Sequence, residues 1–424
     1  MIFLRSFYLT SRCHCCSAPT PLVDPQASWF ATSFPAMAPR RPDKKSKKSG
    51  KGAISRTAAA GSSSNKPVSP QVLVKAAEFQ LQEGNVQDAA TLAQKALGGS
   101  PPGSDDALSA LNFLGQVNLE LGDFDSARDY LLRAVAIDED GTKDENTGGG
   151  PEKFLLLAQL SDEGGRDSVG WFEKGAASLK KRIQALENAK GNGKHSDDQA
   201  ILLEELRKKL AMTLCSVVEV YMTDLSWEED AEQRCESLTT EATMVAPDFA
   251  ETWQTLANVR ISQSRFDDAK AALSRSLELW KDLPPEDPSV PDFPSRVGLS
   301  RLLMEVEMGQ EAIDVLERLV SEDDQSVEVW YLGGWGLYVM GEKQKDNKAE
   351  EDWKALWISS RVWLNQCLHL YKLQEYEDER LGEHARELLA AIGKELGENT
   401  ARKDEDDDDD DDWEDDGSDE EMQE

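Results

Sequence analysis

The sequence predicts an all-α protein built from repeated helical hairpins. Several segments share one pattern, in which a first helix carrying a small residue is followed by a turn and a second helix carrying Ala. This pattern returns along most of the chain, which indicates an internal repeat. Both ends differ from it in composition. Residues 37–66 contain nine Lys/Arg and one acid, and residues 404–424 contain sixteen acids and no base. Such segments cannot bury a core.

The clearest unit has Trp253, Leu256 and Ala257 in its first helix and Phe266 and Ala269 in its second. These types, in this order, match the consensus of the tetratricopeptide repeat. In that repeat, small residues let two helices approach closely while Leu and Trp fill the groove between them. A single hairpin cannot bury its apolar stripe, so neighbouring hairpins must stack. The sequence therefore predicts a tetratricopeptide-repeat superhelical solenoid of about seven hairpins.

The spacing of the units predicts insertions. Successive second helices place a small residue at Ala89, Ala127, Gly170, Ala231, Ala269 and Ala312. Two of the five intervals are 38 residues and two are 43, longer than the 34 of the bare repeat. Loops are expected at 98–103, 138–150 and 282–294, where Gly, Pro and Asp cluster. The remaining 61-residue interval is expected to hold a long charged helix, 179–214, broken at 191–193, and the pairing of this fourth unit stays open.

The last unit opens with Trp330, Gly334 and Leu337. We expect a charged loop at 341–351, then an amphipathic helix through Trp353 and Trp363, and a capping helix at 376–396. The Gly-rich run 148–150 is interpreted as a linker. The predicted organisation is therefore a basic arm (1–69), a solenoid (70–398) and a solvated acidic tail (399–424).

The N-terminus allows two interpretations. Residues 1–36 contain Arg5, Arg12, several Ser/Thr and a single acid, a composition compatible with a mitochondrial transit peptide. The alternative, which we favour, is translation from Met37, which would begin a plain basic arm. Residues 39–51 could then serve as a nuclear-localisation signal and contact an import receptor.

Charge restricts the classes of partner. The formal net charge is −34, and the segment between the two charged ends is itself acidic. Such a body repels phosphate backbones and attracts basic proteins, so direct nucleic-acid binding is not expected. No run of eighteen apolar residues occurs, so we expect no membrane span.

The residue types needed for catalysis are not assembled. No dinucleotide fingerprint, phosphate-binding loop or nucleophile elbow is found, and the four histidines show no ligand spacing. The cluster from Cys13 to Cys16 is too tight for a tetrahedral metal site. Cys215, Cys235 and Cys367 lie singly in helical patterns and fit buried thiols in a reducing compartment. The sequence therefore predicts no enzyme, no cofactor and no metal.

The predicted binding surface is the concave groove of this fold, which is lined by first helices. Arg301 is the one base among the inner positions assigned. Carboxylates and amides with aromatic residues at one end suit an extended peptide rich in Lys and Arg, although any single residue could be merely solvated. The candidate contacts are Glu78, Asn112, Gln116, Glu120, Glu152, Asp162, Glu163, Glu251, Gln254, Asn258, Glu305, Glu328, Tyr331, Trp335 and Tyr338.

These features together resemble one fungal family, the dedicated assembly chaperones of ribosomal protein L4. The resemblance covers the basic arm, the repeats, the Trp-rich helix at 353–363 and the acidic end 406–416 with Trp413. It implies a soluble, non-enzymatic chaperone that holds the long basic internal loop of newly made L4. The family would act in cytoplasm and nucleus and release L4 onto the pre-60S particle. The alternative is a repeat scaffold within a larger nuclear or mitochondrial complex.

Overall fold

The protein is described by a computed structural model that covers residues 68–188, 197–346 and 352–397. These residues form fifteen α-helices, one short 3₁₀ turn at Glu145–Thr147 and no strand. The helices are α1 (Pro70–Gln82), α2 (Val86–Gly99), α3 (Asp105–Glu120), α4 (Phe124–Ile137), α5 (Glu152–Gln159), α6 (Gly165–Asn188), α7 (Asp197–Met222), α8 (Ala231–Val245), α9 (Ala250–Ser262), α10 (Phe266–Glu278), α11 (Phe293–Glu305), α12 (Gly309–Glu322), α13 (Val327–Asp346), α14 (Asp352–Leu373) and α15 (Glu379–Leu396).

In chain order these helices make seven helix–turn–helix pairs followed by one further helix. The odd-numbered helices from α1 to α13 are the first helices of the pairs, and the even-numbered helices are the second. This confirms the predicted class, a tetratricopeptide-repeat fold with seven hairpins and a capping helix. The described chain divides into two compact units between Leu302 and Leu303, within α11. The N-terminal unit holds α1–α10, and the C-terminal unit holds α12–α15.

Small residues set the distance between the helices of a hairpin. Ala89 and Ala93 are fully buried against α1, and Ala269 is fully buried in α10. A Cβ added at Gly115 of α3 would lie 2.7 Å from Cδ2 of Leu131 in α4. The absence of that atom lets the helices approach closely enough to bury Leu131 completely, which contributes about 1.5–3 kcal/mol.

The turn between the two helices of a pair uses a left-handed residue. Gly84 and Gly122 take φ values of 80° and 74° there, a conformation that costs glycine nothing. Ser264 and Glu307 take the corresponding place in later hairpins, with φ values of 59° and 65°. The left-handed turn is therefore kept in hairpins where a residue other than glycine occupies this position.

The long interval is filled by two elongated helices. α6 has 24 residues and α7 has 26, and they pack along their length through Ile183, Leu203, Leu206 and Leu210. The fourth pair, whose members the sequence left open, consists of α7 and α8, because these two helices pack on each other. The predicted break at 191–193 lies outside the described residues.

The loop expected at 138–150 is present as residues 138–151, between α4 and α5. The interpretation of its Gly-rich run 148–150 as a linker was wrong, because Gly149 and Gly150 are buried. The Lys153 side chain is fully buried, and its Nζ donates to Asp138 Oδ2 and to the carbonyl of Gly150, both at 2.7 Å. Asp138 also accepts backbone N–H groups from Thr142 and Lys143. Burial alone would raise the pKa of Asp138, but the hydrogen bond and charge of Lys153, with the backbone N–H groups of Lys143 and Gly150, outweigh it and lower the pKa. A buried ion pair thus anchors the loop.

The C-terminal unit corrects two boundaries. α13 continues to Asp346, so the first half of the loop expected at 341–351 is helical. The reason is packing, because a Cβ at Gly341 would clash with the Trp357 ring, and its absence keeps this turn against α14. The capping helix begins at Glu379 and not at Tyr376, since Asp378 accepts the backbone N–H groups of Arg380 and Leu381.

Three of the cysteines lie in the described chain. Cys215, Cys235 and Cys367 are free and buried, as their apolar helical patterns predict. Cys13, Cys15 and Cys16 lie outside the described residues, as do residues 1–67 of the basic arm and the acidic tail.

Candidate functional site

The candidate site is the inner face, defined here as the surface of first helices α1, α3, α5, α7 and α9 in the N-terminal unit. Neighbouring first helices pack directly at both ends of this set, α1 on α3 and α7 on α9. Side chains join the middle of the set, since Glu152 of α5 forms a salt bridge with Lys209 of α7 and residues of α3, α5 and α7 line one cavity. The side chains that these helices expose on this side therefore belong to one surface, as expected for a repeat fold.

Predicted carboxylates occupy this face in different ways. Glu78 and Glu120 are exposed on α1 and α3. Glu152 on α5 is half-buried and forms a salt bridge with Lys209 on α7. Asp162 and Glu163 are exposed, but they lie in the turn that follows α5. Their placement on the first helix was wrong, because α5 has only eight residues and ends at Gln159.

The predicted amides also differ in exposure and in their hydrogen-bond partners. Gln116 is exposed on α3, and Asn258 is half-buried on α9. Asn112 is half-buried and donates through Nδ2 to the carbonyl of Gly148 in the 138–151 loop. Gln254 is only 8 % exposed, and its Nε2 donates to Ser276 Oγ of α10 at 3.4 Å. Its expected exposure was wrong, because it faces the second helix of its own hairpin.

Sequence reasoning assigned no inner residue to α7, and it thereby missed Glu219, Lys208 and Lys209. The insertion before this helix obscured the repeat register. The buried residues of α7 carry the missing signal, since Leu214, Val218 and Tyr221 recur at helical spacing. The opposite side carries Met212, Ser216 and Glu219, at the same spacing. The face therefore includes two bases that were not foreseen.

The carboxylates between α7 and α9 are partly desolvated. Burial raises the pKa of Glu251 to about 7, with Asp292 raising it further and Lys208 opposing. Burial also raises the pKa of Glu219, although its side chain remains exposed to solvent. Burial raises the pKa of Cys215 to about 12, and the charges of both carboxylates raise it further, so both acids lie on the side of this buried thiol. Among the described residues, no Lys or Arg comes within salt-bridge distance, 4.0 Å, of either acid.

A cavity of about 230 Å³ opens between α3 and α5. The 138–151 loop forms one wall, Leu131 and Leu156 form an apolar part, and Lys209 lies on the α7 side. The cavity is lined by Asn112, Gln116, Leu131, Glu145, Gly148, Gly149, Glu152, Lys153, Leu156 and Lys209.

The aromatic residues predicted to face a peptide are packed in the C-terminal unit. The Tyr331 hydroxyl lies 2.7 Å from Nδ1 of His384 on α15. Trp335 meets the same imidazole edge-on, with ring centroids 5.8 Å apart. Tyr338 stacks on Trp357 of α14 at 5.0 Å. These rings are less open than expected, because α14 and α15 pack on them and leave each half-buried. Their contact with a partner stays a prediction.

Two further predicted acids lie outside the inner face as defined. Glu305 ends α11, and burial raises its pKa. Glu328 lies in the first turn of α13 and is half-buried. Arg301, the single base expected on this side, is also half-buried on α11.

The described residues offer neither a metal site nor a membrane-spanning helix. No three His, Cys, Asp or Glu side chains among them are grouped so that they could hold a metal ion. Within the same residues, no helix combines the length and apolar character needed to cross a membrane.

The fold and this surface define a tetratricopeptide-repeat protein, and the Tetratricopeptide repeat family matches residues 69–140. A relative from Emericella nidulans, named "Probable assembly chaperone of rpl4", is 50 % identical over 78 % of this chain and 82 % of its own length. A Schizosaccharomyces pombe relative of the same name is 34 % identical over 74 % and 88 %. The solved structure "Assembly Chaperone of RpL4 (Acl4) (Residues 1-338)" is 55 % identical and has a TM-score of 0.63, covering 66 % of this chain and all of that one. The chain therefore belongs to the family of rpl4 assembly chaperones.

Proposed function

We propose that this protein is a dedicated chaperone of the large-subunit ribosomal protein L4. It holds an extended basic segment of L4, the long internal loop, against the inner face of its N-terminal unit. The names of its curated relatives support this cargo. The chaperone acts by binding and not by catalysis. L4 is kept soluble until ribosomal RNA displaces the chaperone on the pre-60S particle.

The observation that carries this proposal is the pair Glu219 and Glu251. Their carboxylates lie on the adjacent helices α7 and α9 and are partly desolvated, and no Lys or Arg of the described part of the chain lies within salt-bridge distance of them. A Lys or Arg from a partner would supply the missing counter-charge. Charge-assisted hydrogen bonds to such carboxylates are stronger than those between neutral groups. Charge complementarity also speeds association and disfavours anionic partners.

Co-expression with L4 tests the proposal. The full chain should keep L4 soluble and co-purify with it in one-to-one ratio at low salt, and the complex should weaken as salt screens the charges. The double variant Glu219→Lys/Glu251→Lys should raise the Kd for L4 at least about tenfold, since it turns attraction into repulsion. Glu317→Lys, an exposed reversal on the second helix α12, is the matched control and should bind as the wild type does.

Two results would overturn the proposal. One is a failure of L4 to co-purify at any salt concentration, and the other is binding of L4 by the double reversal as tightly as by the control. Circular dichroism and thermal melting of both variants establish that any loss of binding is not a loss of fold.

We further propose that the protein works in cytoplasm and nucleus, with residues 39–51 as the import signal. The support is the density of Lys and Arg in this segment. Deletion of residues 39–51 from a fluorescent fusion should reduce its nuclear fraction, and an unchanged distribution would contradict this assignment.

A further inference from the structure

The cavity between α3 and α5 differs from the rest of the inner face because its charges are already balanced. Glu152 is bridged to Lys209, and Glu145 to Arg182 at 2.6 Å. Lys153 is bound by Asp138. Each carboxylate in the lining thus has a cation of this chain beside it, in contrast to Glu219 and Glu251. A Lys or Arg entering the cavity would lose hydration without gaining a free counter-charge, which is unfavourable.

The cavity nevertheless holds one unsatisfied acceptor. Oδ1 of Asn112 is buried and has no hydrogen-bond partner. The orientation of this amide is fixed, because Nδ2 donates to the carbonyl of Gly148. Exchanging the two amide atoms would bring Oδ1 against that carbonyl oxygen. Leaving a buried acceptor without a donor is unfavourable, so a donor from outside would bind favourably here.

Size and lining restrict the donor further. About 230 Å³ is the space of roughly seven waters in the liquid, and it is smaller than the about 300–1,000 Å³ of a small-molecule site. Leu131 and Leu156 supply apolar surface beside the acceptor. The matching ligand is one side chain that has an apolar body and an N–H or O–H group.

We propose that this cavity is an anchor pocket for a single uncharged, donor-bearing side chain of the bound protein segment, such as Gln, Asn, Tyr or Trp. The inference rests on the proposed function and deepens it. Carboxylates along a face attract any basic segment and discriminate weakly between registers. A pocket that requires one hydrogen bond rejects a side chain lacking the donor, because its own acceptor is then left unpaired. The anchor therefore fixes the register in which a basic segment lies on the inner face.

Closing the pocket tests the proposal. Gln116 is exposed at the lining, so Gln116→Trp should fill the entrance without disturbing the core. Gln87→Trp, equally exposed but on the second helix α2, adds the same ring outside the inner face. The probe is L4 and basic peptides tiled along its sequence. Gln116→Trp should raise the Kd about tenfold or more, and Gln87→Trp should leave it within about twofold.

Salt dependence separates this proposal from the proposed function. Closing the pocket removes a neutral contact, so the slope of log Kd against log salt should stay as in the wild type. The reversal Glu219→Lys/Glu251→Lys should instead reduce that slope. If the wild type binds none of the probes, the proposed function fails. If the wild type binds and Gln116→Trp binds equally well, the cavity holds only water and the anchor is refuted.

Peptide scanning identifies the anchor itself. Each position of the tightest peptide is replaced by Ala and by Lys. At one uncharged, donor-bearing position of the peptide, either replacement should weaken binding to the wild-type protein about tenfold. The same replacements should change the affinity for Gln116→Trp little, as in a double-mutant cycle. If only replacements at Lys and Arg positions of the peptide weaken binding, the pocket does not bind a neutral side chain.

Discussion

First helices play opposite roles in the two units of this protein. In the N-terminal unit, α3, α7 and α9 present carboxylates and amides to solvent, and a cavity opens beside α3. In the C-terminal unit, α13 directs Tyr331, Trp335 and Tyr338 into the packing of α14 and α15. The repeat position is the same, but the C-terminal unit adds a helix that covers it. Repeat register therefore predicts which helix lines a surface, but not whether that surface stays open.

The largest expected effect tests how the open unit is built. Asp138→Asn leaves the buried ammonium of Lys153 without its counter-charge, so we expect the free energy of unfolding to fall by about 3–5 kcal/mol. Denaturant unfolding would measure it. Asp105→Asn, which removes only the exposed bridge to Lys143, should cost at most about 1 kcal/mol. Equal losses in the two variants would show that the loop is not anchored by the buried pair.

The packed unit should be sensitive to volume. A Cβ at Gly334 would lie 2.6 Å from Cγ of Leu364, so Gly334→Ala should destabilise the C-terminal unit by about 1–3 kcal/mol through overpacking. Gly393 of α15 has nothing within 4 Å of its added Cβ. Gly393→Ala should therefore gain up to about 1 kcal/mol of helix propensity. Thermal unfolding compares them, and two shifts of the same sign would refute the close approach of α13 and α14.

The open unit should respond to pH. Burial raises the pKa of Glu251 to about 7, and a bound cation would lower it again. Binding then releases a proton, so the affinity for L4 should rise roughly several-fold from pH 6 to pH 8. Glu251→Gln should bind more weakly at pH 8 and show a flatter profile. Calorimetry in buffers of different ionisation enthalpy measures the proton release, and zero release near pH 6.5 would contradict this account.

The same carboxyl also affects stability. Because its folded pKa lies above the ordinary value of 4.5, the folded state binds more protons between about pH 4.5 and 7. Its stabilising contribution is therefore present at low pH and lost as pH rises through about 7. Glu251→Gln should accordingly stabilise the free protein more at pH 8 than at pH 5, as measured by urea unfolding.

The smallest effect concerns the covered aromatics. Tyr331→Phe removes the hydrogen bond to His384, which burial keeps biased toward its neutral form by lowering its pKa. We expect a loss of about 0.5–1.5 kcal/mol in stability and an unchanged Kd for L4. If Tyr331→Phe remains folded but binds L4 more weakly, these aromatic rings belong to the binding surface.

Sequence reasoning located most of the fold and part of the site. Ala and Gly at repeat spacing specified the hairpins, since only small side chains permit that helix separation. Glu78, Gln116 and Glu251 were placed on first helices because the register around them was clear. Glu219 was missed because the long α6 and α7 break the period, and Gln254 was misplaced because period alone does not show which side of a helix meets its partner.

The sequence by itself determined the helical class, the number of hairpins, the acidic character and the family. These depend on local patterns and on charge, which are written along the chain. Only the tertiary structure decided that Lys153 and Asp138 pair in the interior, that Asn112 keeps a buried acceptor beside a cavity, and that α15 covers the aromatic residues of α13. Each of these joins residues far apart in sequence, and the free energy of burying a polar group depends on which neighbours surround it.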